Sequence, residues 1–213
     1  MFKYISRPPK TEVKNPKVLF LLHGYGSNEM DLFSFADYLP DDLFIISIRA
    51  PKKLDFGGYA WYDIFLDSAG NKISDDQTAM ERVHELAGFM DELAEKYGLD
   101  KENMNLLGFS QGAILSYALS LHYPNKFKNI VALSGYINEN IMPVNEKPEE
   151  YKKLDFFVSH GKYDDIIPVE WARKIPPYLT ERNISHIYKE YPMGHEVNAA
   201  CFNDLLAWLG ERI

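Results

Sequence analysis

One cysteine, Cys201, among 213 residues leaves no partner for an intrachain disulfide. Its apolar neighbours near the C-terminus suggest a packed thiol rather than a reactive one. No apolar run approaches the ~18–20 residues that a membrane helix needs. The first ten residues carry no signal-like apolar core and run into Pro8-Pro9. No stable membrane insertion is therefore expected, and the default location is cytoplasmic. Lys and Arg are outnumbered, 23 to 31 by Asp and Glu, and lie scattered. A net charge of −8 speaks against nucleic acid and anionic membrane surfaces as partners. Repeats and low-complexity tracts are also missing, and no second composition regime marks a domain boundary. With 46% hydrophobic residues, the whole chain, 1–213, reads as one domain. A domain of this size buries roughly 70% of the surface of its unfolded chain, enough for a core without metals.

Short apolar runs alternate with amphipathic stretches. Val18–Leu22, Leu43–Ile48, Met104–Leu107, Ile130–Leu133 and Phe156–Val158 are nearly continuous in apolar residues, as strands buried on both faces require. Residues 186–191 alternate, as an edge strand would, and Phe2–Ile5 is a further edge candidate. Ser74-Asp75-Asp76-Gln77 has the form of a capping box. After it, Ala79, Val83, Leu86, Ala87, Met90, Leu93, Ala94 and Tyr97 recur at helical spacing until Gly98. Phe202, Leu205, Leu206 and Leu209 mark a last helix, and Pro176-Pro177 kinks or splits the one before it. Two insertions, 50–73 and 138–151, interrupt the alternation. The pattern predicts an α/β fold, a mostly parallel central sheet with helices on both faces, whose ligands bind beyond the carboxyl ends of the strands.

Gly108-Phe109-Ser110-Gln111-Gly112 falls between such a strand and a helix. Gly-x-Ser-x-Gly in that setting is a nucleophile elbow, a turn so sharp that only small residues fit beside it. A serine hydroxyl is a weak nucleophile and needs a base, and the base needs an orienting acid. Downstream, the loop after Phe156–Val158 offers Asp164, with Asp165 as the alternative. His195, behind Gly194 and before the last helix, is the one histidine beyond that loop at a strand's end. His84 reads as a solvated helix residue, and His122 as a cationic ring at a helix C-terminus. His23-Gly24-Tyr25-Gly26, after Val18–Leu22, can turn an amide toward an oxyanion, with the amide of Gln111 as second donor. His23 itself is read as shaping that turn. His195-Glu196 lacks a second histidine at helical spacing, and no phosphate loop or dinucleotide fingerprint occurs, so neither metal nor cofactor is expected.

Together with Arg49-Ala50-Pro51, Trp61-Tyr62-Asp63, Leu133-Ser134-Gly135, the His160–Pro168 segment and Gly194-His195, these motifs resemble the acyl-protein thioesterase and carboxylesterase branch of α/β-hydrolases, the phospholipase/carboxylesterase family. The resemblance runs from about Lys17 to the end. It implies an α/β-hydrolase fold without a large cap and a triad of Ser110, Asp164 and His195. It places the oxyanion amides on Tyr25 and Gln111, and Trp61 and Tyr62 beside the substrate, with core packing as the alternative for Trp61. The expected partner is a small acyl ester or thioester; a homodimer is left open. Lysophospholipids, aryl esters of feruloyl type and peptides are alternative substrates, and a non-catalytic ligand-binding relative is the alternative outside enzymes. Lys162 and Asp165 depart from the family's usual residues at those positions.

Overall fold

In the computed structural model, residues 2–66, 68, 72–144 and 148–213 are described. The chain runs β1 (Tyr4–Arg7), β2 (Val18–Leu22), α1 (Met30–Phe33), β3 (Phe44–Ile48), β4 (Lys52–Lys53), β5 (Tyr59–Ala60), β6 (Ile64–Leu66), β7 (Lys72–Ser74) and α2 (Asp76–Tyr97). It continues with β8 (Met104–Phe109), α3 (Gln111–His122), β9 (Phe127–Leu133), β10 (Asp155–Gly161), α4 (Val169–Ala172), α5 (Ile175–Glu181), β11 (Ser185–Tyr191) and α6 (Ala199–Gly210). Seven strands form one sheet in the order β1-β3-β2-β8-β9-β10-β11. Only β1 is antiparallel to its neighbour.

Strand periodicity divides the core. Val18, Phe20 and Leu22 of β2 face one apolar cluster with α2, α3 and α5, while Leu19 and Leu21 face another with α1 and α6. Successive strand side chains point to opposite faces, so a run of five apolar residues is needed when both faces are covered. Each such side chain contributes about 1.5–3 kcal/mol by leaving water. At the edge, β11 alternates exposed and half-buried residues, as its sequence suggests.

Several local expectations shift. The edge strand is Tyr4–Arg7 rather than Phe2–Ile5, and Pro8 ends it. Phe2 instead packs its ring on Trp61 and Phe89. The cap of α2 is Asp75, not Ser74: its carboxylate accepts from the Thr78 N–H at 3.0 Å and the Thr78 hydroxyl at 2.8 Å. A charged acceptor at a helix N-terminus outcompetes a hydroxyl, and these bonds hold the Asp75 carboxyl below its ordinary range. Ser74 bonds Asp76 instead. Gly98 does end α2, in the left-handed conformation.

The double proline splits its helix into α4 and α5, Pro176 and Pro177 lying in the first turn of the second piece. At His122, burial disfavours the cationic ring that the sequence suggests. Its Nε2 meets the Ile141 carbonyl at 3.0 Å, and burial pushes its pKa down. His84 is bonded through Nδ1 to the Tyr123 hydroxyl at 2.6 Å. Cys201 is buried, its thiol pushed up by burial.

The described parts of the 50–73 insertion form two small hairpins, β4–β5 and β6–β7; residues 67 and 69–71 lie outside the described residues. In the 138–151 insertion, residues 145–147 lie outside them as well. Asn138 and Asn140 tie this insertion to Asp76 at the start of α2, at 2.7 Å each.

Candidate active site

Only Ser110 separates the end of β8 from the start of α3. Its backbone sits at φ 54° and ψ −117°, a region costing an L-residue about 1–3 kcal/mol. The close approach of three backbones enforces this. A Cβ on Gly112 would lie 1.9 Å from the Leu22 carbonyl oxygen, and one on Gly108 2.4 Å from the Gly112 oxygen. Ser110 N–H donates to Leu133 O at 2.9 Å, while its carbonyl accepts from Ala113 and Ile114 at the start of α3. The side chain is thereby held at the carboxyl end of the central strand, 8% exposed.

Two other strand ends bring the acid and the imidazole. Asp164 follows β10 and His195 follows β11. His195 Nδ1 lies 2.7 Å from Asp164 Oδ2, and Nε2 lies 2.9 Å from Ser110 Oγ. A carboxylate only accepts, so Nδ1 carries the proton and Nε2 presents its lone pair to the serine. The Asp164 side chain is fully buried and that of His195 is 16% exposed. Asp164 Oδ1 is held by the N–H groups of Ile166 and Ile167 at 2.9 and 2.8 Å. The alternative acid, Asp165, is exposed, and α4 has no side-chain cap.

The turn after β2 flanks the serine. The Cβ position of Gly24 is 3.3 Å from Ser110 Cβ. Among the described residues, the N–H groups of Tyr25 and Gln111 have no hydrogen-bond partner. His23 shapes this turn as expected. It is fully buried, its Nδ1–H donates to Gly24 O at 2.7 Å, and its Nε2 accepts from the Ala50 N–H at 3.0 Å. Both nitrogens are committed to the neutral ring, and burial lowers its pKa.

Residues 24–29 are also tied to the 50–73 segment. Gly26 N–H bonds Tyr59 O, and Tyr59 N–H bonds Ser27 O at 2.8 Å. Arg49 pairs with the buried Glu29, lies over the Tyr59 ring at 4.7 Å and holds the Glu29 carboxyl below its usual range.

Trp61 and Tyr62, expected beside the substrate with core packing as the alternative for Trp61, are each 1% exposed and lie in the core. Their backbone is clamped by the Gln111 side chain: Oε1 accepts from Trp61 N–H at 2.9 Å and Nε2 donates to Tyr62 O at 2.9 Å. The Trp61 indole donates to His23 O at 2.8 Å. The side-chain role of Gln111 and the Glu29–Arg49 pair were not foreseen. The trace of Gln111 in sequence is a polar residue at a position that α3 buries.

The family of these residues is settled by comparison with known proteins. Residues 8–212 match the phospholipase/carboxylesterase family. The chain belongs to that family. Carboxylesterase SOBER1 of Arabidopsis thaliana is 29% identical over 158 residues, 72% of this chain and 68% of that protein. Acyl-protein thioesterase 1 of Kluyveromyces lactis is 24% identical over 212 residues, 92% of each chain. The fold is shared with a Bacillus cereus carboxylesterase, at TM-score 0.84 and 23% identity, covering 100% of this chain and 95% of that one. The protein is accordingly a serine hydrolase of the carboxylesterase and thioesterase type, with the α/β-hydrolase fold and no large cap. Among the described residues, no helix is long and apolar enough to cross a membrane.

Proposed function

We propose that this hydrolase cleaves carboxylic esters, including thioesters, through an acyl-enzyme formed on Ser110. The observation that carries this reading is the His195 ring held between Asp164 Oδ2 at 2.7 Å and Ser110 Oγ at 2.9 Å. His195 Nε2 takes the hydroxyl proton as Oγ attacks the acyl carbon, and Asp164 stabilises the imidazolium. The carbonyl oxygen becomes an oxyanion received by the free N–H groups of Tyr25 and Gln111, a donor set in which each member is worth about 3–4 kcal/mol. The imidazolium then gives its proton to the departing alcohol or thiol. Water, deprotonated by His195, attacks the acyl-serine and releases the acid, and the serine recovers its proton.

The groove for the substrate's acyl part is best sought beyond Gly135, whose Cβ position lies 3.4 Å from Ser110 O. The next residue, Tyr136, lines a depression of about 420 Å³ with Ile73, Ile137 and Trp171, and the Tyr136 and Trp171 rings meet edge-on at 5.0 Å. Ser74, Asp76, Asn138, Glu139, Asn140 and Lys174 make the lining mixed, so the apolar ring pair is the part that suits a short acyl chain.

The test is hydrolysis of p-nitrophenyl esters and matched thioesters of graded acyl length, with fluorophosphonate labelling of the purified protein. Ser110→Ala should lose both label and turnover, and His195→Ala should lose turnover. Unchanged hydrolysis in either variant refutes the assignment. Truncation by Trp171→Ala should change the preferred acyl length while leaving acetyl ester turnover alone.

A further inference from the structure

His160 is the penultimate residue of β10, fully buried, and has no part in the chemistry described above. Its Nε2 lies 2.8 Å from Ile167 O and 3.3 Å from Asp164 Oδ2. A carbonyl only accepts, so Nε2 carries the proton and donates it to Ile167 O, while the carboxylate oxygen that faces His195 lies beside it at 3.3 Å as a contact rather than a hydrogen bond. The other nitrogen, Nδ1, is buried without a partner. Protonating it would bury an unpaired donor with a full charge, and burial accordingly pushes the pKa of His160 down. Asp164, His195 and Glu190 are the titratable groups acting on this ring; Glu190 is itself paired with Arg173.

We propose that His160 is a positioning residue for the acid of the triad: its neutral Nε2–H holds Ile167 O, closes the loop from 162 to 167, and so fixes the Ile167 N–H that carries Asp164 Oδ1. The inference rests on the triad reading given under Proposed function. Ile166 N–H and Ile167 N–H on Oδ1 and His195 Nδ1–H on Oδ2 give the carboxylate three donors, and the His160 ring lies against Oδ2 at 3.3 Å while its N–H fixes the carbonyl of Ile167. One ring spans the acid turn at both ends, reaching four residues ahead to Asp164 and seven ahead to Ile167. Because the ring is neutral, it orients the carboxylate without cancelling the charge that His195 needs. A charged side chain in its place would compete with the imidazolium for Asp164.

The experiment compares His160→Leu with His160→Gln on a p-nitrophenyl ester across pH, alongside thermal unfolding. Losing the donor misplaces the acid, so His160→Leu should lower kcat by about ten- to hundredfold with KM within about twofold. With Ile167 N–H no longer fixed on Oδ1, the carboxylate favours the imidazolium more strongly, so the acid limb of kcat/KM should move to higher pH. His160→Gln, whose side-chain amide can donate near the same place, should recover most of the rate and the original limb. The proposal fails if His160→Leu keeps its rate and profile, or if His160→Gln, equally well folded, is as impaired as His160→Leu.

Should the leucine variant not fold, ¹⁵N-histidine NMR of the intact protein still decides. His160 should be the neutral Nε2–H tautomer at neutral pH and titrate below an ordinary histidine, and an Nδ1–H tautomer or an ordinary titration overturns the proposal. Failure of the triad itself is separately visible, as full turnover in Ser110→Ala.

Discussion

Two regions flank Ser110 and are built by different means. The turn from β8 into α3 is a matter of backbone on backbone: Gly108, Gly112 and the Leu22 carbonyl approach so closely that no side chain fits between them. The segment from Ala50 to Asp63 is held by side chains reaching main-chain groups, His23 to Ala50, Gln111 to Trp61 and Tyr62, and Arg49 linking Glu29 to Tyr59. The first arrangement has essentially no slack, since moving one backbone moves the sheet. The second holds a longer loop with bonds that can be removed one at a time. A rigid elbow and a tied loop together preset the two unpartnered amides without the whole site having to be regular secondary structure.

That contrast can be attacked directly, beginning at the elbow. Ser110→Ala should reduce kcat by about 10⁴–10⁶, measured by ester hydrolysis with the fold checked by circular dichroism. Gly112→Ala should be close to all-or-none as well, but through folding. Its methyl group has no room beside Leu22 O, so a loss of about 4 kcal/mol or more is expected in urea unfolding. A Gly112→Ala protein with native stability and turnover would show that the elbow does have slack.

The tied loop should answer in steps. Gln111→Glu keeps the shape but sets a carboxylate oxygen against Tyr62 O, and kcat should fall by about ten- to hundredfold with a folded protein. Arg49→Met removes one tie from the far end of the turn, and a loss of only a few fold in kcat/KM is expected. If Arg49→Met instead matched Ser110→Ala, the two regions would not be separable.

The smallest effect is a pH dependence of stability. His23, His122 and His160 all have pKa values lowered by burial, so the folded protein binds fewer protons than the unfolded chain below about pH 6.5. Stability therefore rises with pH through that range and falls as the solution is acidified from about 6.5 toward 5.5. The urea midpoint should follow, and His122→Gln, away from the site, should flatten the slope by its share. An unchanged midpoint over that window would mean that these rings take up protons in place.

The elbow and its partners were legible because their signals are local or ordered along the chain. Gly-x-Ser-x-Gly between an apolar run and a helix is a statement about five adjacent residues, and the acid and the histidine follow at two later strand ends. Strand positions were legible to within a few residues because burial on both faces leaves unbroken apolar runs. The errors came where several residues could satisfy the same local need. Ser74 and Asp75 both suit a helix cap, and the carboxylate took it. His122 at a helix end reads as a cation until Ile141 arrives from the 138–151 insertion to cover it. For Trp61 the sequence leaves substrate wall and core packing both open, because it says nothing of the Gln111 side chain that clamps the backbone of Trp61 and Tyr62.

What the amino-acid order determined by itself is the class of architecture and which polar residues stand at the strand ends, because periodicity and turn chemistry act over a few residues. What only the folded chain decided is which carboxylate oxygen meets which ring nitrogen, which rings stay neutral, and which aromatic residues are hidden. Those outcomes depend on groups 20 to 90 positions apart meeting inside a core where water no longer competes, as the 85-residue separation of Ser110 and His195 illustrates.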